Sequence, residues 1–458
     1  MGRANHRSSK ATAVPALRWH NAAAAGLDIG ATEIWACVPP DRDAQPVRAF
    51  GTFTPDLHAL ADWLEQYEVR SVAMESTGVY WIPIYEILEA RGLEVYLVNA
   101  HHLKHVPGRK SDVQDCQWIQ QLHSYGLLTA SFCPAEDMRV LRAYLRQRAT
   151  LLEYRAGHIQ HMQKALQQMN VQLTQVVSDI TGQTGLAILR AIVAGERDPQ
   201  ILARLRHGRC QRSEAEIAKA LSGHYRAEHV FALKQALALY DFYTGQVQEC
   251  DTYLEQHYAA IKPTYDEQTP PPPLGPTPKP KSHAKNAPTF NVRGSLYRIL
   301  GVDLTATDGL EASSAQIILS EIGTDMSKWP TEKHFTSWLG LAPHNDISGG
   351  KVLRSKPLKG NRRAAQALRL AAQTLGRTHT ALGSYYRRMR ARKGSTQAIA
   401  ATAHKLARIL YHMLKHRTPY QPQSQEIYDQ HLRDRAIRHL KRTATRLGFT
   451  LLPQPEAA

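Results

Sequence analysis

Five side chains in this sequence have the types and spacings that phosphate chemistry requires: the carboxylates Asp28, Glu75, Asp112 and Asp115, and the hydroxyl of Ser348. Asp28 stands in GLDIGAT at the end of an apolar strand, and Glu75 in VAMESTGVYW at the end of another. Asp112 and Asp115, in GRKSDVQDCQW, open a helix, and their spacing of three puts both on one face. Strand-end carboxylates converging with a helix-borne pair form an all-oxygen cage suited to two Mg²⁺ or Mn²⁺ ions rather than to zinc. Two such ions about 4 Å apart stabilise both the attacking and the leaving oxygen of a phosphoryl transfer. Each carboxylate alone has a plainer role, as a helix cap, a dipole partner or a turn residue. Their joint occurrence in one α/β domain beside a basic domain favours the catalytic reading.

Ser348 is followed by Gly349 and Gly350, which let a backbone approach phosphate closely. Lys351, Arg354, Lys356, Lys359, Arg362 and Arg363 come next. A hydroxyl among cationic donors can attack a phosphodiester and form a phosphoserine link. Ser-Gly-Gly is also common in plain loops, so spacing alone leaves an ordinary turn open. Tyr385 and Tyr386, the other hydroxyls nearby, sit at helical spacing and read as packing or stacking residues. His101, His102 and His105 read as surface or phosphate contacts, and Arg109 and Lys110 as nucleic-acid contacts beside the acid pair.

The charge distribution supports a polyanionic partner. The 458 residues hold 57 Lys and Arg against 40 Asp and Glu, a net charge of +17. From Lys351 to Arg417 there are 17 Lys and Arg and no acid, so this stretch carries the whole excess. A solvated surface usually mixes signs; phosphate backbones are the commonest partner of one that does not. An apolar content of 43% with 21% charged residues is that of a globular protein. No apolar run is long enough to span a membrane, and no amphipathic anchor accompanies the charge. Five cysteines without a CxxC pair fit a reducing cytoplasm and argue against a thiolate zinc site.

These residues must be held by elements that the patterning outlines. Residues 1–22 read as a flexible basic tail. Residues 23–134 read as an α/β domain, with strands at 24–29, 34–38, 47–53, 69–74 and 93–98 and helices at 57–67, 80–90 and 112–125. Within 135–261, Met138, Leu145, Leu152, Ile159, Leu166, Leu173 and Ile180 recur every seven residues, the pattern of a long coiled-coil helix. Arg148 and Arg155 interrupt the seam, either to select a partner or because the strict coiled coil starts later. A second helical run, about 213–259, can fold back antiparallel on the first. Residues 262–289 hold nine of the 25 prolines and read as a stiff, extended linker rather than a packed element. A helical unit at 290–417 and a helical tail at 418–458 complete the chain.

GLDIGAT, MESTGVYW, GRKSDVQDCQW, LSEIGTDMSKWPTEKHFTSWLGLAP and ISGGK, in this order, together resemble the IS110/IS1111-type transposases of bacterial insertion sequences, over residues 24–417. The resemblance implies an RNase H-like, RuvC-type N-terminal domain with a DEDD metal site at Asp28, Glu75, Asp112 and Asp115. It implies a C-terminal transposase domain whose nucleophile is Ser348, because Ile347 occupies the first of the two positions where the family often has serine. It further implies a DNA recombinase guided by a structured bridge RNA that pairs with donor and target DNA. The site would be composite between protomers, the heptad helix serving in a homo-oligomer, a dimer or tetramer, in the bacterial cytoplasm near the nucleoid. Two other readings compete: a junction nuclease that uses the metal site and water without a covalent intermediate, and a non-catalytic nucleic-acid-binding protein. The DxGxT pattern around Asp28 also resembles the phosphate loop of actin-like and sugar kinases, but their second Asp loop and adenosine segment are not found. Residues 299–323 resemble a helix-hairpin-helix, with Gly301 and Gly309 flanking the turn; a plain helical hairpin in the core is the alternative.

Overall fold

The computed structural model describes residues 19–76, 78–99, 111–266, 268–276, 285–357 and 360–452. Arg109, Lys110, Lys359, the three histidines at 101, 102 and 105, and residues 1–18 of the tail lie outside these. The chain divides into two compact units, Met1–Cys133 and Pro134–Ala458.

The first unit is a mixed five-stranded sheet in the order β3-β2-β1-β4-β5. Its strands are β1 (Ala24–Ile29), β2 (Glu33–Cys37), β3 (Val47–Gly51), β4 (Ser71–Glu75) and β5 (Glu94–Val98). β1 runs antiparallel to β2 and parallel to β4, so it is the central strand, and its near-continuous apolar sequence suits burial on both faces. Helices α1 (Thr54–Gln66) and α2 (Trp81–Ala90) cover one face, where Leu57, Leu60, Leu64, Ile84 and Leu88 pack on Leu27, Ile29, Val72 and Met74. Helix α3 (Asp112–Ser124) covers the other. There Ile119 meets Ala73 and Val98, and a Cβ on Gly26 would lie 2.3 Å from the Gln120 nitrogen and 2.5 Å from the Cys116 carbonyl oxygen. That glycine is required by close approach of two backbones. Gly26→Ala should therefore destabilise the unit by about 3 kcal/mol, read as a lowered urea midpoint of the full chain. The expected tail is tied down at its end: His20 and Asn21 both donate backbone N–H bonds to the Ser124 carbonyl, at 2.7 and 2.9 Å.

Among its described residues, the second unit is helical apart from one hairpin. Its elements are α4 (Glu136–Gln168), α5 (Leu173–Val176), α6 (Gln183–Ala194), α7 (Pro199–Arg204), α8 (Glu214–Leu221), α9 (Ala227–Ala260), α10 (Val292–Leu300), α11 (Ala312–Ile322) and α12 (Glu332–Trp338). Strands β6 (Pro343–Ser348) and β7 (Lys351–Pro357) follow, then α13 (Arg362–Thr374), α14 (Ala381–Lys393), α15 (Ser395–His416) and α16 (Gln425–Arg446).

The heptad helix is shorter than its pattern. α4 ends at Gln168, Asn170 takes a left-handed conformation, and Leu173 and Ile180 fold back into a core shared with α6, α8 and α9. The spacing past Gln168 is that of a core, not of one continuous helix. The seam of α4 is covered by α9 of the same chain, running antiparallel: His257 meets Asp137, Asp251 meets Arg148, and Tyr243 meets His158. Both seam arginines find partners on α9, Arg148 in Asp251 and Arg155 in the Thr244 hydroxyl at 3.4 Å. Arg148 (6% exposed) forms a two-pronged bond to Asp251 (1% exposed), at 2.6 and 3.2 Å. Arg155 bonds Asn286 at 2.8 Å. Removal of either partner leaves an uncompensated buried charge, so Asp251→Ala should cost about 3–5 kcal/mol. The double variant Arg148→Ala with Asp251→Ala should recover part of that loss in a double-mutant cycle of chemical denaturation.

Where it is described, the Pro-rich stretch is exposed or half-buried but tied to the helices by hydrogen bonds, so it is a fastened strap rather than a free extended linker. The Pro272 carbonyl accepts a bond from the Tyr297 hydroxyl, and the Gly275 carbonyl one from Arg293 at 3.0 Å. Asn286 bridges the two seam arginines, and Lys285 pairs with Asp179 at 2.6 Å. Proline removes backbone donors, but its fixed carbonyls still serve as acceptors.

Candidate functional site: a carboxylate cluster and an exposed serine hairpin

Strict alternation along the strands decides where Asp28 and Glu75 point. Ala25, Leu27 and Ile29 face α1 and α2, so Gly26 and Asp28 face α3. On β4, Val72 and Met74 join the first core and Ala73 the second, so Glu75 also faces α3. The parallel register sets Leu27 beside Met74, which brings Asp28 and Glu75 together at the strand ends. α3 crosses Gly26 through Cys116 and Gln120, and its first turn, one turn earlier, carries Asp112 and Asp115 above Asp28. The helix starts there because Ser111 caps it, its hydroxyl accepting from the Gln114 N–H at 3.4 Å.

The four groups feel one another. Burial, then the charges of Asp112, Asp115 and Glu75, push the Asp28 carboxyl up from 3.8 to about 6, against a bond from the Ile29 backbone. Like charges so crowded, with oxygen as the only donor atom, fit a hard divalent cation. Among the described residues no three His, Cys, Asp or Glu side chains stand around one point as a finished ligand set. The structure thus contains the crowded charge without a closed cage.

Several positioning residues were not read from the sequence. Gly26 had a legible signal, a glycine inside an apolar strand. Gln120 is buried and bonds both the Ala24 carbonyl (3.3 Å) and Ser124 (2.9 Å), locking α3 to β1. His123 is buried against Ser71 at 3.0 Å, and burial pushes it down to about 4, so it stays neutral. Nothing in their spacing distinguishes these two from surface polar residues of a helix.

Ser348 belongs to the second unit. It ends β6, and Gly349 and Gly350 form a two-residue turn with φ of 55° and 75°. A turn with two positive φ values is the hairpin turn that glycine permits. Ser348 and Lys351 are the closing cross-strand pair. Lys351, Arg354 and Arg363 are exposed, as the basic frame requires; Lys356 lies on β7 and Arg362 opens α13. Other bases of the acid-free stretch are built into the fold. Arg408 pairs with Glu332 at 2.6 Å, Lys415 bonds the Pro330 carbonyl at 2.8 Å, and Lys405 lies 4.7 Å over the Tyr385 ring. Tyr386 is buried, in keeping with a packing role.

The helix-hairpin-helix reading fares differently. Leu304, Thr307 and Leu310 are buried, and the turn's N–H groups bond to Asp303, Leu304 and Thr307 within the turn. The buried side is that of a core hairpin, while Gly309 and the first turn of α11, residues 312–314, are half-buried.

Comparison with known proteins agrees with both units. Residues 25–171 match the family model of IS110-type DEDD transposases, described as a transposase, and residues 303–387 match the model of the transposase IS116/IS110/IS902 family. An uncharacterised 43.6 kDa protein of insertion element IS110 from Streptomyces coelicolor is 34% identical over 120 residues. That similarity spans 26% of this chain and 29% of the relative's length. With one family matched on both the carboxylate unit and the serine hairpin, the chain belongs to the IS110 family of transposases.

Proposed function

We propose that this protein is an insertion-sequence transposase that cuts and exchanges DNA strands through a covalent phosphoserine intermediate. The observation that carries the reading is the convergence of Asp28, Glu75, Asp112 and Asp115 on one face of the sheet. The strand order, with two antiparallel and two parallel pairings about β1, supports an RNase H-like, RuvC-type unit. Asp28, Glu75, Asp112 and Asp115 would hold Mg²⁺ or Mn²⁺, which supplies charge stabilisation to a phosphate in transfer.

The chain's own residues divide the remaining work. The Ser348 oxygen attacks phosphorus, a phosphoserine bond forms and one P–O bond to a sugar breaks; the serine proton is lost and the departing sugar oxygen gains one. Lys351 and Arg354 flank the hydroxyl and offset charge on the phosphoryl oxygens. Strand exchange is the reversal, in which another sugar hydroxyl attacks the phosphoserine. The hairpin's exposure suits a nucleophile that must reach a large substrate. Guidance by a structured RNA and assembly of a homo-oligomer, in the bacterial cytoplasm, belong to the same proposal, and rest on family membership. Because α9 covers the seam of α4, an oligomer would use other faces of that pair.

The test is a denaturing gel of the full chain, kept with the RNA that co-purifies with it and incubated with Mg²⁺ and end-labelled DNA from the element's ends. Labelled protein that survives detergent and yields phosphoserine on hydrolysis is expected. Cleaved DNA with no labelled protein would instead favour a junction nuclease that activates water.

A further inference from the structure

The serine hairpin exposes more apolar surface than a nucleophile needs. Ile347, Val352 and Leu353 are 62%, 55% and 70% exposed, at the tip of a two-stranded ribbon. Side chains alternate across such a ribbon. Ser348 and Lys351, the closing pair, share one face; Ile347 and Val352, the next pair, share the other. The register slips between Asp346 and Ile347, so Leu353 is the unpaired residue of a bulge, a device that re-aims side chains. The ribbon is thus polar on the serine face and aliphatic on the opposite one, with about 3.3 Å of strand between the two rungs.

Its base, by contrast, is fixed. A Cβ on Gly360 would lie 2.3 Å from the Gly340 nitrogen, so the two ends of the hairpin meet backbone to backbone. Asn361 bonds Glu321 at 3.0 Å, and Glu321 is buried against Arg142 and Arg146. A rigid base carrying an exposed aliphatic tip has the build of a lever rather than of a loose loop. The cations Lys351 and Arg354 on the same ribbon, Arg354 standing opposite Asp346 and Lys351 opposite Ser348, are complementary to a phosphate backbone.

We infer that the tip is a wedge: Ile347, Val352 and Leu353 enter the DNA duplex between base pairs beside the phosphate that Ser348 attacks, while Lys351 and Arg354 hold the flanking phosphates. Aliphatic side chains inserted at a base step unstack it and kink the duplex, and unstacking frees a strand for exchange. The inference rests on the DNA-cutting reading above, but needs only binding, not chemistry, to be tested.

The experiment uses the full chain with Ser348→Ala and a duplex from the element's end-to-end junction, carrying 2-aminopurine at successive positions. Binding should raise the fluorescence severalfold at one or two adjacent positions. Adding Ile347→Asn, Val352→Asn and Leu353→Asn should abolish that rise at protein concentrations that saturate the duplex. Because all three side chains are largely exposed, the circular dichroism melt should be unchanged. Leu353→Phe, a larger wedge, should raise the signal further. Fluorescence that stays flat at every position, or a rise that survives the triple variant, overturns the wedge. A triple variant that changes the oligomeric state in sedimentation but keeps the rise assigns the tip to a protein contact and overturns it too. Should the rise occur while the unmodified chain forms no phosphoserine, the covalent reading fails and the wedge stands.

Discussion

Ser348→Ala is expected to abolish the covalent protein–DNA species and to lower strand exchange by about 10⁴-fold or more, with duplex binding within about threefold of the unmodified chain. Loss of a nucleophile removes a group for which nothing else substitutes, and such losses are of this size. Binding is spared on the proposed reading, in which the phosphate contacts would come from the exposed Lys351, Arg354 and Arg363, which the substitution leaves in place. The hairpin also keeps its shape: its turn depends on Gly349 and Gly350, and Ser348 is exposed. Ser348→Cys adds a second discrimination. A thiol retains nucleophilic character, so a trace of a thiophosphate adduct is expected where alanine gives none. Unaltered exchange by Ser348→Ala would sink the covalent mechanism and leave the carboxylate cluster to activate water.

The five strands were legible because burial and alternation leave marks in sequence. AAGLDI reads as a strand covered on both sides and lies at the centre of the sheet. Period-2 alternation settles the face of Asp28 and Glu75, and a spacing of three that of Asp112 and Asp115, which is why four carboxylates scattered over 88 residues can be read as one group. What alternation does not encode is depth. Burial, the larger cause that raises Asp28, follows from how closely α3 lies on β1, which Gly26 and Gln120 set; the charges of Asp112, Asp115 and Glu75 add to it.

The seven-residue repeat shows the opposite limit. A periodic apolar stripe states that something covers a helix, not which chain supplies it. Here α9 supplies it, 59 residues after α4 ends, and the two arginines out of pattern were the available hint that the partner is specific. Prolines mislead for a related reason. They exclude regular hydrogen bonding, which resembles freedom in sequence, yet their carbonyls let the strap fasten onto α10. The hairpin was half legible: Gly-Gly announces the turn, but the aliphatic face opposite Ser348 follows only from the register of β6 on β7.

Asp28→Asn should separate the two things a crowded carboxylate does. For activity, loss of one anion from the cluster weakens the hold on a divalent ion and on the charge it stabilises, and a fall of about a thousandfold in strand exchange is expected. For stability of the metal-free chain, the sign is reversed. The folded state raises the Asp28 carboxyl from 3.8 to about 6, so it favours the protonated form. The associated stability is complete below about pH 4 and is lost as the pH rises through about 6. Asparagine mimics the neutral form at every pH. The variant should therefore match the unmodified chain near pH 4 and exceed it at pH 7.5 by about 1 kcal/mol, discounted for partial exposure. A thermal midpoint roughly 3–6 °C higher is expected. Millimolar Mg²⁺ or Mn²⁺ should close the gap by stabilising the unmodified chain alone, since a cation relieves the repulsion that asparagine has already removed. Equal midpoints at both pH values would show that the four carboxylates are not crowded in solution, and the metal reading would lose its footing. A variant both more stable at neutral pH and inactive is the signature of a site that holds repulsion in reserve for an ion.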